Sequence, residues 1–395
     1  MVYYFLIIAF LIALVLGIKL IPKIVELSHE LHIFDLPDSR KVHKLPIPRL
    51  GGVVFLPIVI IASAVVIVLM LRFDVDTHRL WQGAVVQTFV AYLGGAMMLY
   101  IIGLYDDLHG VSYRVKFVVQ ILAAALPCIS GLWISNLQYI FFINEIPFWI
   151  GMPVTVLFSV YVTNAMNLID GIDGLASGLS IMALAVIAML NITTGDTIWA
   201  LLSLTYVGVL IAFFYYNVYA HKHKTFMGDT GSLTLGFTLS FLILHYWQLT
   251  PVWNPYFHNV GIVAVSTIII PCLDVIRVMA SRIRDGRNPF LPDKNHIHHK
   301  LMRTGLNTHL TMLTLLALSM LFVIANYLMA AYISQTVMIV VDIVLFIMMH
   351  LTINYFIYKK ENGMQEYQRE YEMKSNKIKK QEGYVFCKTY PSCFI

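Results

Sequence analysis

The chain has 395 residues, 59% of them hydrophobic and only 12% charged, with a mean hydropathy of +0.75. A soluble domain of this length does not carry so little charge, so the composition excludes a soluble enzyme and points to a multi-pass membrane protein. The formal net charge of +5 then reflects orientation in the membrane and contact with anionic lipid, and it does not call for nucleic acid as a partner.

Apolar stretches long enough to span recur at 2–21, 51–71, 81–103, 115–133, 149–167, 177–194, 197–217, 231–248, 259–280, 309–330 and 333–358. With ~20 residues per crossing, the expectation is an all-α polytopic protein of about eleven transmembrane helices. The first stretch lacks a basic leader, and its first charges, Lys19 and Lys23, follow the apolar run. It therefore reads as a retained helix whose C-terminal end faces the cytoplasm. Of the 27 Lys and Arg residues, only Arg72 and Arg79 then fall on the outer side. The four cysteines have no disulfide or metal spacing. The outer connection LQYIFFINEIPF predicts two short strands turning at Asn144-Glu145, an outer-face β-hairpin within 136–148. Residues 1–358 read as the integral membrane catalytic domain, and 359–395 as a polar cytoplasmic tail.

The dense polar motifs all fall in the inner loops. RKVHKLPIPRLGG spans 40–52, where Pro and Gly shape a loop. Asp106-Asp107 ends the third helix; adjacent helical residues point about 100° apart, so the two acids are not expected to share one role. NAMNLIDGIDGLA spans 164–176 and steps Asn164, Asn167 and Asp170 along one helical face, with Asp173 continuing the step if the helix persists. Carboxylates at that depth are costly unless they face water or a cation. In FMGDTGS, Asp229 opens the eighth helix between Gly228 and Gly231. It either caps that helix or helps form an anion or metal-phosphate site. The last motif joins His296, His298 and His299 to Arg282, Arg284, Arg287, Lys294 and Lys300. Zinc is a possible ligand for the His cluster, but no Cys lies near, and phosphate recognition by cationic and imidazole donors suits the composition better.

In this order the motifs RKVHKLPIPRLGG, GLYDD, NAMNLIDGIDGLA, FMGDTGS and PDKNHIHHKL resemble those of the polyprenyl-phosphate N-acetylhexosamine-1-phosphate transferases. The HIHH form, preceded by Arg40-Lys41-x-His43, looks like the undecaprenyl-phosphate N-acetylglucosaminyl-1-phosphate transferase branch. The phospho-N-acetylmuramoyl-pentapeptide branch carries three consecutive His, and Ile297 departs from that.

The resemblance implies transfer of N-acetylglucosamine-1-phosphate from UDP-GlcNAc to undecaprenyl phosphate, releasing UMP and starting a cell-envelope polysaccharide. Its partners are a UDP-N-acetylhexosamine, a polyprenyl phosphate and the bilayer, with Mg²⁺ (or Mn²⁺) as cofactor; a homodimer is allowed. It implies a bacterial inner-membrane location with the active site on the cytoplasmic face. By the same resemblance Asp229 holds the metal, with Asp106 as a further ligand, and Asp106 and Asp107 sit beside the lipid phosphate. Asn164, Asn167, Asp170 and Asp173 line the nucleotide-sugar and metal site, Phe226 stacks on uracil, and Asn217 and Lys41 lie on the nucleotide side. His296, His298, His299 and Arg282 contact phosphates. The alternatives are another UDP-N-acetylhexosamine or UDP-MurNAc-pentapeptide as donor, or, in a different class, a transporter of an anionic metabolite. The gathering of polar residues at one interface rather than at mid-membrane favours the enzyme.

Overall fold

The computed structural model describes residues 1–35, 46–76, 82–253, 261–288 and 295–389. The helices are α1 (Val2–Glu30), α2 (Phe55–Arg72), α3 (Gly83–His109), α4 (Tyr113–Ile129), α5 (Phe148–Ile169), α6 (Leu175–Thr194), α7 (Thr197–Val218), α8 (Gly228–Trp253), α9 (Gly261–Ser266), α10 (Ile269–Arg284), α11 (Ile297–Thr304), α12 (Thr308–Met329) and α13 (Gln335–Thr389). Each apolar stretch of the sequence corresponds to one helix, or in one case to a broken pair. Among the described residues, eight helices are long and apolar enough to cross a membrane. The chain is an all-α multi-pass membrane protein.

The broken pair is α9–α10, where a single crossing was expected. Pro271 is the cause: it has no N–H to give the Thr267 carbonyl four residues back, and its ring crowds that carbonyl. The outer hairpin is present as β3 (Asn136–Ile140) and β4 (Ile143–Glu145), but it turns elsewhere. Ile140 pairs with Ile143, and the turn falls on Phe141-Phe142, both at positive φ (51° and 66°), while Asn144-Glu145 lies within β4. Tertiary contacts override local preference here: the Phe141 amide donates to Thr336 Oγ1, and the Gln138 side chain donates to the Trp247 carbonyl.

The core is built around α7, which is packed by α1, α2 and α6 and buries Trp199, Tyr206 and Phe213. Beside it, α8 crosses α3 and α5. Glycines make these crossings close. A methyl on Gly103 of α3 would lie 2.6 Å from Thr230 Cα. One on Gly52, in the 3₁₀ turn Gly51–Val54, would overlap Gly231 Cα and the Met227 carbonyl. The short pair β1 (Phe34–Asp35) and β2 (Ile47–Pro48) is continued by the chain entering α8: the Phe226 amide donates to the Pro48 carbonyl (2.8 Å), and the Gly51 and Gly52 amides donate to the Phe226 and Met227 carbonyls (3.0 Å each). The result is a stiff floor at one end of the bundle.

Candidate active site

On that floor the ends of α3, α4, α5 and α8 meet. The connection from α3 to α4 is only Gly110 to Ser112, so the chain reverses within one turn and sets Lys116 beside Asp106. The Lys116 ammonium donates to Asp229 Oδ2 at 2.8 Å and to Asp106 Oδ2 at 3.3 Å. Asp106 Oδ1 also accepts the Val111 amide at 2.6 Å. Asp229 Oδ1 accepts from the Asn167 amide group at 3.1 Å, and the same Asn167 nitrogen donates to Ser232 Oγ at 2.8 Å.

Asp107 does something different. Its buried carboxylate accepts the Asp229 amide (2.9 Å), the Thr230 amide (2.9 Å) and the Thr230 hydroxyl (2.6 Å). It therefore caps α8 from a neighbouring helix, satisfying donors that every helix N-terminus leaves open. Gly228, at φ 68°, leaves the space for it: a Cβ there would be 2.6 Å from Asp107 Oδ2. At the other end of the same dipeptide, the Arg49 guanidinium donates to the Asp106 carbonyl (2.9 Å) and the Asp107 carbonyl (2.9 Å), closing the C-terminus of α3.

One oxygen from each of Asp106, Asp107 and Asp229 lies within 4.8 Å of the others. All-oxygen donors suit a hard divalent ion such as Mg²⁺. Asp107 is already committed to four neighbouring groups, including Arg49 at 3.7 Å. Asp106 and Asp229 keep capacity, and the ammonium between them marks where the site calls for positive charge. These two are the carboxylates that fit a cation.

The floor opens into a cavity of about 880 Å³ lined by Asn167, Asp170, Asp173, Asn217, Phe226, Asp229 and His299, with Arg49, Lys222 and Lys224 adding positive charge. The α5 helix stops at Ile169, so Asp173 does not continue its polar face. It lies in the following turn, paired with Lys224 at 2.6 Å. Asn217 uses its amide internally, accepting from the Gly174 amide (2.6 Å) and donating to the Thr225 carbonyl (2.9 Å). It thereby ties the α5–α6 turn to the α7–α8 loop. Asn164 turns from the cavity, donating to Gln120 Oε1 at 2.6 Å.

Asp170, at the mouth of α5, is only partly open to the cavity. Burial, reinforced by Asp173, Asp229 and Asp107, pushes its carboxyl up to about 7. A carboxyl whose folded-state pKa is raised stabilises the fold at low pH, and that contribution is lost as pH rises from about 4 to about 7. Asp170→Asn, which cannot ionise, is expected to melt about 2–4 °C above the wild-type protein at pH 8 in the absence of divalent ions. The gap should close below pH 4; thermal unfolding across pH checks it, and a constant gap would refute the assignment.

Of the three histidines, His299 alone lines the cavity. His296 is buried against Asp274, Nδ1 to Oδ2 2.9 Å. His298 is 1% exposed, lies over Gly171, and has no partner for Nδ1 among the described residues. Burial and the adjoining His299 ring push its imidazole down to about 3, so it stays neutral. Arg282 is buried at the end of α10, away from the cavity lining. Lys41 lies outside the described residues. Sequence reasoning did not single out Lys116 or Asp274. The three-residue reversal after His109 is the signal for Lys116, whereas Asp274 sits in a helix and has no local signal.

The model of the family described as glycosyl transferase family 4 matches residues 89–246. The chain is 30% identical over 324 residues to the probable undecaprenyl-phosphate N-acetylglucosaminyl 1-phosphate transferase of Bacillus subtilis (strain 168), covering 81% of this chain and 83% of that protein. It belongs to this family of polyprenyl-phosphate N-acetylhexosamine-1-phosphate transferases. Other family members are similar over comparable lengths. The undecaprenyl-phosphate alpha-N-acetylglucosaminyl 1-phosphate transferase of Escherichia coli O157:H7 is 30% identical over 335 residues (82% of this chain, 84% of that one). Its namesake in Yersinia pestis is 32% identical over 289 residues (71% and 72%). The stretch matched by the glycosyl transferase family 4 model contains Asp106, Asp107, Lys116, Asp170 and Asp229; the His-bearing helix lies beyond it.

Proposed function

We propose that the chain transfers N-acetylglucosamine-1-phosphate from UDP-GlcNAc to undecaprenyl phosphate, in a bacterial cytoplasmic membrane and on its inner face. The observation that carries this reading is the Asp106–Lys116–Asp229 cluster at the edge of a cavity with a basic rim, of a size suited to a nucleotide-sugar. The names of the relatives supply the sugar and the lipid, and the Lys and Arg distribution supplies the orientation.

In this reading Asp229 and Asp106 hold Mg²⁺, or Mn²⁺ in its place. Bound there, the ion neutralises charge on the diphosphate. The rest falls to the side chains. Phe226 offers a ring to the uracil, and Arg49, Lys222, Lys224 and His299 face the donor phosphates. The lipid phosphate is largely dianionic at neutral pH, so its oxygen needs little activation. It attacks the phosphorus bonded to the sugar, the bond from that phosphorus to the bridging oxygen breaks, and UMP leaves with that oxygen. Lys116, whose ammonium lies beside both acids, would offer its charge to the incoming phosphate.

The test is purified protein with Mg²⁺, UDP-GlcNAc and undecaprenyl phosphate. The expected products are UMP and a lipid-diphosphate sugar in equal amounts. Release of UDP would mean ordinary glycosyl transfer and would overturn the reading, as would solute flux without turnover. Labelled phosphosugar covalently trapped on the protein without acceptor would replace direct attack by an enzyme-bound intermediate.

A further inference from the structure

Asp274 is a buried carboxylate on α10, 1% exposed, and it does not line the cavity. A buried charge is costly unless its bonds are complete. Apart from Arg277 of its own helix, the bonds of Asp274 reach one neighbour, the segment leading into α11. Oδ2 meets His296 Nδ1 at 2.9 Å, and Oδ1 and Oδ2 accept the Ile297 amide at 3.1 and 3.2 Å. Arg277, one turn along α10, holds Asp274 Oδ1 at 2.6 Å and also donates to the Asn295 carbonyl.

The segment so held depends on its neighbours for its orientation. With eight residues, α11 is too short to be stable alone. Its far side is held by α13: Lys300 donates to Asn354 Oδ1 at 2.9 Å, and Arg303 to Glu361 at 2.7 Å. The start of the helix rests on Asp274. That start sets the direction of the next two imidazoles, because successive helical residues diverge by about 100°. With His296 fixed, His298 packs over Gly171, where no side chain obstructs it, and His299 emerges into the cavity.

We propose that Asp274 is a positioning residue that, through His296 and the first amide of α11, aims His299 at the donor phosphates. The three histidines thus divide their work: His296 is a latch, His298 a spacer against the Asp170–Asp173 turn, and His299 the group that meets substrate. This rests on the phosphotransferase reading.

The test uses the full chain in detergent. Asp274→Ala is expected to lower kcat/KM for UDP-GlcNAc by roughly 100-fold, the scale of a 1 Å misplacement. Asp274→Asn, which keeps an acceptor for the Ile297 amide, should recover most of that loss. Asp274→Ala combined with His299→Ala should be no worse than His299→Ala alone, because both remove the same contact. Pyrocarbonate labelling read by mass spectrometry should mark His299 but not His296 or His298 in the wild-type protein, and all three in Asp274→Ala. Additive losses, wild-type turnover in His299→Ala, or unchanged labelling in Asp274→Ala would each overturn the proposal. A wild-type protein without transferase turnover would sink the reaction instead, and the labelling would still decide whether Asp274 holds the segment.

Discussion

Asp229→Ala is expected to lose at least about 10³-fold in UMP release while keeping the melting behaviour of the wild-type protein. A loss of that size corresponds to about 4 kcal/mol of transition-state stabilisation. The reason for a purely functional loss lies in which atoms of Asp229 do what. Its carboxylate faces Lys116, Asn167 and the cavity, and is the better placed of the two carboxylates that fit a cation. Its backbone amide, which holds α8 to Asp107, survives the substitution. The lost side chain also removes a repulsion with Asp106, which offsets the lost attraction to the positive helix end. Turnover near the wild-type rate would remove Asp229 from the proposed cation site; a collapse in melting temperature would reassign it to the scaffold.

Asp107→Ala is expected to fail in the opposite way, as a stability defect first. Truncation strands the Asp229 amide, the Thr230 amide and the Thr230 hydroxyl at a buried helix start. Each stranded group costs about 1–3 kcal/mol, so a total of about 3 kcal/mol or more is expected. Asp107→Asn keeps one good acceptor and should lie between. Asp106→Ala, whose neighbours Lys116 and Asp229 keep each other and which strands the Val111 amide alone, should melt closer to wild type than Asp107→Ala and lose turnover. Thermal unfolding and UMP release on the three variants separate the roles. If Asp107→Ala melts within about 1 °C of wild type, the cap is not the main work of that carboxylate.

The pairing of these two adjacent acids shows how far the sequence could be read. That they diverge follows from helical geometry alone, and the spans follow from hydropathy. What each acid meets depends on α8 arriving from over a hundred residues later, which no local pattern encodes. The step of three through Asn164, Asn167 and Asp170 was legible, but its meaning was not uniform. Asn167 reaches Asp229, whereas Asn164 is captured by Gln120 of α4. Asp173 left the helical face because α5 ends at Ile169. The three histidines looked equivalent in sequence, and burial separates them. The hairpin was legible as strands, but its turn was set by contacts with Thr336 and Trp247.

The glycine contacts between Gly103 and Thr230, and between Gly52 and Gly231, have a consequence for motion. Main chain touches main chain at both places, so no flexible side chain lies between to absorb a shift. The inner ends of α3 and α8, with the turn before α2, must travel as one body and carry Asp106, Asp107 and Asp229 with them. The end of the α7–α8 loop belongs to the same body, because the Phe226 and Met227 carbonyls accept the Gly51 and Gly52 amides of that turn.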